Sequence, residues 1–187
     1  MIYPIYLYGH PVLRKETKDI SVDYPNLVKL LEDMYETMYR ADGVGLAAPQ
    51  IGLEDRILVI DLTPCEEQDP SCANFKKAFI NARIIEKSDE TAIMEEGCLS
   101  IPNIHEKVAR SNRIRIQYLD ENLEPHDEVY EGYKARVIQH EYDHLEGLMF
   151  VDHISGIRKQ MIRSKLNKIM SGNVNCSYKI KRSKKTI

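Results

Sequence analysis

Apolar side chains recur three and four positions apart through "DYPNLVKLLEDMYETMYRADG" (residues 23–43), where Leu27, Leu30, Leu31, Met34 and Met38 share one side. That spacing predicts a helix, with Asp23 as its cap and Gly43 as its stop. "RILVIDL" (56–62) is a compact apolar run that reads as a buried strand, and "AFINARIIEK" (78–87) reads as another. In "RIRIQYLD" (113–120), Arg113, Arg115 and Gln117 alternate with Ile114, Ile116 and Tyr118, the period of a half-buried strand. "ENLEPHDEVYEG" (121–132) reads as its antiparallel return. The polar stretch "LTPCEEQDPSCANFKK" (62–77), with two prolines, reads as a surface loop.

A further helix is predicted from about Gly132 to near Gly147, within "YKARVIQHEYDHLEGLMF" (133–150). A last helix, "ISGIRKQMIRSKLNKIM" (154–170), carries Ile154, Ile157, Met161, Leu166 and Ile169 along one side. The tail "NVNCSYKIKRSKKTI" (173–187) alternates weakly, as a short strand would. No repeat or linker divides the chain. The order predicts an α+β fold, with mainly antiparallel strands around a central helix and another helix toward the C-terminus.

That central helix holds His140, Glu141 and His144 in the order H-E-x-x-H. Residues four apart lie one above the other on a helix face, so both imidazoles can reach one metal ion with the Glu141 carboxylate beside it. Two buried histidines satisfied by hydrogen bonds are the alternative. A catalytic site of this kind needs a third protein ligand. One zinc-peptidase pattern continues H-x-x-G-x-x-H, but after Gly147 the final position is Phe150, which cannot ligate. Another takes a downstream glutamate, yet no Asp or Glu follows Asp152. Upstream, His10, His105 and His126 sit in polar stretches and read as surface residues. Cys98, in "EEGCLSIP" (95–102), offers a thiolate, although a lone cysteine is often only a small buried thiol. Spacing alone leaves this choice open.

A length of 187 residues suggests one domain able to bury roughly 70% of its unfolded surface. No stretch approaches the roughly 20 apolar residues of a membrane span, and the start "MIYPIYLYGHPVLRK" lacks signal or transit character. The expectation is a cytoplasmic protein with neither membrane nor DNA as partner. Cys65, Cys72, Cys98 and Cys176 form no C-x-x-C pair; Cys65 and Cys72 could bridge in an oxidising compartment, but nothing else points to one, and both read as free thiols. The net charge of −3 hides a segregation: ten Lys or Arg and no Asp or Glu lie from Ile154 onward. Of the 26 basic and 29 acidic residues, 16 and 29 remain before it, a balance of −13.

Three segments together resemble the peptide deformylases. The family motifs G-x-G-L-A-A-x-Q, E-G-C-L-S and H-E-x-D-H stand here as "GVGLAAPQ" (43–50), "EGCLS" (96–100) and "HEYDH" (140–144). "HPVLR" (10–14) also fits, and the resemblance covers about residues 1 to 155. It implies a metal held by Cys98, His140 and His144, ferrous iron in the usual native case, with zinc, nickel or cobalt able to replace it. It implies removal of the formyl group from the N-terminal methionine of newly made polypeptides, with release of formate. Glu141 is the proton carrier in this reading, and the Gln50 side-chain amide and Leu99 backbone N–H are donors to the oxyanion. Gly43 and Gly45 permit close approach of a peptide lying along that segment, with Val44, Tyr133 and Val137 as candidate linings of an apolar pocket. Glu96 is a candidate anchor for Arg110, and Asp143 a support for the metal site or helix end. The family often has an arginine soon after the cysteine motif. Here the loop reads "NIHEKVAR" (103–110), so no substrate contact is carried over to it.

In domain terms the resemblance predicts a catalytic unit over 1–153, with residues 154–187 as a basic helix and tail packed on it. Since deformylases act as chains leave the ribosome, the basic segment is a candidate contact for ribosomal RNA.

Overall fold

The computed structural model describes residues 1–183. Its centre is a five-stranded antiparallel sheet in the order β2 (Gly45–Ala47), β3 (Ile57–Asp61), β4 (Lys76–Lys87), β7 (Arg113–Leu119), β8 (Pro125–Glu131). A hairpin of β5 (Thr91–Cys98) and β6 (Ile101–Ser111) stands apart from it. The short β1 (Ile5–Tyr6) and β9 (Ile180–Lys181) pair in parallel. Three helices complete the chain: α1 (Leu27–Arg40), α2 (Gly132–Leu145) and α3 (Gly156–Met170). The architecture is α+β, as expected.

Strand β3 shows why its sequence is apolar throughout. Successive side chains point to opposite faces, and both faces are covered. Leu58 and Ile60 join Phe79, Ile114 and Ile116 against Ala135 and Ile138 of α2. Ile57 and Val59 join Ala78 and Ile80 against Met34 and Met38 of α1. The helix with the H-E-x-x-H motif is therefore packed against the sheet, which fixes the direction of His140 and His144. It starts where β8 ends, at Gly132 with φ +60°, a backbone conformation that costs glycine nothing. A third cluster joins Leu7, Val108 and Phe150 to Ile162, Leu166 and Ile169 of α3, so α3 backs the β5–β6 hairpin.

Three expectations are corrected. Asp23 does not cap α1, which begins at Leu27 behind Asn26, whose φ is +56° and whose side chain makes no cap bond. Pro25 supplies no N–H and fixes its φ, so the chain turns there before the helix starts. The buried stripe of α3 is Ile162, Leu166 and Ile169, whereas Ile157 and Met161 are 75% and 66% exposed. These two lie about 130° around the helix from the buried row. The segment read as the loop "NIHEKVAR" is the body of β6.

Other readings hold within small shifts of boundary. Residues 62–77 form turns, Thr63–Cys65 and Pro70–Cys72, before β4 begins. The four cysteines are free. The tail strand is β9; Lys184 and Lys185, two of the ten basic residues from Ile154 onward, lie outside the described residues. No described helix is long and apolar enough to cross a membrane.

Candidate metal centre and substrate cavity

Cys98 is the last residue of β5, at the point where the hairpin folds back so that Cys98 faces Ile101 of β6. The turn carries its sulfur to α2, and Cys98 Sγ lies 3.3 Å from His144 Nε2. The two imidazoles of α2 stand 5.4 Å apart centre to centre, nearly edge to face. Donor atoms of Cys98, His140 and His144 all lie within 4.8 Å of one another. Among the described residues no other group of His, Cys, Asp and Glu converges in this way. Of the candidates that spacing left open, it is the cysteine that the fold brings to the two imidazoles.

A buried ionic chain orients the imidazole of His140. Its Nδ1 meets Glu96 Oε2 at 2.9 Å, which turns Nε2 toward the sulfur side. Arg110 donates to both oxygens of Glu96, at 2.6 and 2.9 Å, and Arg136 donates to one at 2.7 Å. Arg110 also donates to Asp143 at 2.7 Å, and Asp143 meets His153 Nε2 at 2.7 Å. Burial alone would raise the Glu96 carboxyl, but the bonds from His140 and Arg110 hold it well below the usual carboxylate range. The expected Glu96–Arg110 contact is present. Arg136 was not foreseen, because an arginine one helical turn before His140 has no motif of its own.

These residues suit a cation. Burial would push the Cys98 thiol up, but the field of His144 and the bonds from both imidazoles bring it down to about 5, favouring the thiolate. Two buried polar atoms, Glu141 Oε2 and His144 Nδ1, have no hydrogen-bond partner. A sulfur and two imidazole nitrogens, with no fourth His, Cys, Asp or Glu joining them among the described residues, suit a transition metal with an open position.

Glu141 is 5% exposed, and burial, reinforced by Cys98 and Glu96, pushes its carboxyl up to about 7 against the opposing pull of His140 and His144. It faces β2 where Gly45 has no side chain: a Cβ there would lie 2.7 Å from Glu141 Cγ and Cδ. Gly43 makes the same allowance for Leu99, whose Cδ1 would lie 2.8 Å from an added Cβ. Gln50, 1% exposed, accepts from the Ala47 N–H through Oε1 at 2.8 Å. Its amide nitrogen then points at the cysteine turn, 3.3 Å from Ser100 Oγ and 3.5 Å from Cys98 Sγ.

A cavity of about 520 Å³ opens on this centre. It is lined by Gly43, Val44 and Gly45, by Tyr133 and Val137 of α2, and by Gln50, Leu99, Cys98, His140 and Glu141. His144 lies behind them, 1% exposed. Its wall also contains Cys176, Ser177 and Tyr178, which no sequence signal marked.

Residues 2–160 match the family model described as polypeptide deformylase. The chain belongs to the polypeptide deformylase family. A peptide deformylase of Christiangramia forsetii is 50% identical over 188 residues, covering 97% of this chain and 96% of that one. The peptide deformylase crystal structure from Thermotoga maritima matches with a TM-score of 0.75 at 45% identity, over 83% of this chain and 99% of that one. That of Legionella pneumophila matches with a TM-score of 0.81 at 35% identity, over 92% and 98%. With this family comes metal-dependent deformylase activity, the hydrolytic removal of the formyl group from the N-terminus of newly made polypeptides.

Proposed function

We propose that Cys98, His140 and His144 hold a single divalent ion, and that Glu141 moves the proton in hydrolysis of formyl-methionine at the N-terminus of new chains. Ferrous iron is the native occupant in this reading, with zinc, nickel or cobalt able to take the same mixed sulfur and nitrogen site. When bound, such an ion supplies Lewis-acid activation of water and polarisation of the formyl carbonyl. The arrangement around Glu141 carries the reading. An unpartnered buried carboxylate, with a pKa near neutrality, sits beside the ligands without being one of them. That is the state a general base needs to accept a proton and later deliver it to the departing amine.

The amide nitrogen of Gln50 is preset toward the cysteine turn, so it can donate to a developing oxyanion together with the backbone N–H of Leu99. Losing one such donor costs about 3–4 kcal/mol of transition-state stabilisation. Gly43, Val44 and Gly45 offer an edge along which the peptide backbone lies, and Tyr133 and Val137 line the apolar pocket for the methionine. The test is formate release from N-formyl-Met peptide by anaerobically prepared protein. Glu141→Gln is expected to retain metal and lose turnover, and undiminished turnover would remove Glu141 from the mechanism.

The workplace proposed is the cytoplasm, beside the ribosome. On α3, Arg158 and Lys159 pair with Glu106 and Asp152, while Arg163, Lys165 and Lys168 are exposed and available to phosphates. Co-sedimentation with ribosomes should weaken steeply with salt and on reversing those three charges. Binding indifferent to both would exclude this contact.

A further inference from the structure

After α3 the chain doubles back and runs past the mouth of the active site. Its course is fixed at several points. Asn103 Nδ2 donates to the Asn175 carbonyl at 3.0 Å. The N–H groups of Ile5 and Leu7 donate to Lys179 and Lys181 at 2.8 and 2.9 Å, forming the β1–β9 ladder. Between these anchors, Cys176, Ser177 and Tyr178 form part of the cavity wall. The Tyr178 hydroxyl donates to the Leu99 carbonyl at 2.7 Å. On the far side of the same turn, the Tyr8 N–H donates to the Ser100 carbonyl at 2.8 Å.

We propose that Tyr178 is a positioning residue for deformylation: from the C-terminal segment it clamps the Cys98–Leu99–Ser100 turn and closes one wall of the substrate cavity. The inference rests on the reading that the Leu99 N–H serves the oxyanion. The segment lies beyond residues 2–160, which the family model matches, so membership in the family does not by itself supply this contact. The physical argument is short. Leu99 is one of the two residues between β5 and β6, with no regular ladder of its own, and its side chain is seated over Gly43. Its carbonyl is held by one phenol. A donor directed at an oxyanion works only when its peptide plane is fixed in advance, and fixing the carbonyl on the other side of the Leu99 Cα restricts that residue's rotation. The ring of Tyr178 also packs on the apolar cluster around α1. The clamp is therefore tied to the core and does not depend on the tail alone.

The experiment uses the full metal-loaded chain. Tyr178→Phe removes the hydroxyl and keeps the ring; Tyr178→Ala removes both. Steady-state formate release from N-formyl-Met peptides is measured alongside metal content and Tm. A hydrogen bond is worth about 0.5–1.5 kcal/mol net, so Tyr178→Phe should lower kcat by about 2- to 12-fold with KM unchanged. Tyr178→Ala should lower kcat and also raise KM, because the cavity loses its wall. Wild-type kcat in Tyr178→Phe would overturn the inference. So would a rate loss no larger than the loss of folded, metal-loaded protein, which would make the tyrosine only a structural tie. If Glu141→Gln kept full turnover, the reading of the site itself would have failed. A fully active Tyr178→Phe beside an inactive Glu141→Gln overturns only the clamp.

Discussion

Placing a methyl group on Gly45 tests the geometry of the site most directly. The added Cβ would stand 2.7 Å from both Cγ and Cδ of Glu141, whereas ordinary contact begins at 3.4 Å. Something must therefore move by at least about 0.7 Å, the difference between those two distances, and Glu141 Oε1 stands nearer still. The backbone cannot easily yield, because Gly45 is paired with Ile60 of β3 inside the central sheet. Movement falls on the Glu141 side chain, 5% exposed and on a helix packed against that sheet. A misplacement of about 1 Å can cost on the order of 100-fold in rate, or about 2.7 kcal/mol. Overpacking should add about 1–3 kcal/mol of destabilisation. Gly45→Ala should thus bind metal through untouched ligands yet release formate roughly 100-fold more slowly. The assay is kcat and KM for N-formyl-Met peptide, with metal content and Tm on the same preparation. Gly156→Ala is the control, since nothing lies within 4 Å of a Cβ there. A metal-loaded Gly45→Ala with wild-type kcat would refute the claim that Glu141 needs this position.

Two further outcomes follow from the ionic groups. Arg110→Met should destabilise the protein by about 3–5 kcal/mol in denaturant unfolding, because buried Asp143 and Glu96 lose a shared cation. A loss under about 1 kcal/mol would show that Arg136 and His153 suffice. Burial alone would raise the Glu128 carboxyl, but bonds from Tyr118, Tyr130 and Lys77 bring it down to about 2. A depressed carboxyl stabilises the fold above its unfolded value of about 4.5, and the effect is lost as pH falls through about 2. Glu128→Gln should flatten the stability curve between those values, and an identical acid limb in wild type and variant would contradict the assignment.

The pairing of His140 and His144 on α2 was legible because a helix converts a four-residue interval into a shared face. Likewise β7 was legible because its inward residues, Ile114, Ile116 and Tyr118, are all apolar or nearly so. The hairpin that delivers Cys98 was not. Its strand β6 alternates strictly, but the inward positions are Ile104, Glu106, Val108 and Arg110, and two charges there erase the hydrophobic period. On β5 most residues are exposed on both faces, so no period exists to read. Their buried charges have two destinations: Glu96 and Arg110 meet each other beneath His140, and Glu106 meets Arg158 of α3. Tyr178 was illegible for a different reason. It meets its partner across 79 positions of sequence, and only the folded chain brings the tail to Leu99.

The parallel pairing of Ile5 with Ile180 has a kinetic consequence. Closing so long a loop is the most entropically demanding contact in the molecule, and only two residues on each side reward it. The central sheet and helices gather from nearer partners, so β1 and β9 are expected to meet last. The expected order of maturation is accordingly the inner end of the cavity first and its C-terminal rim last.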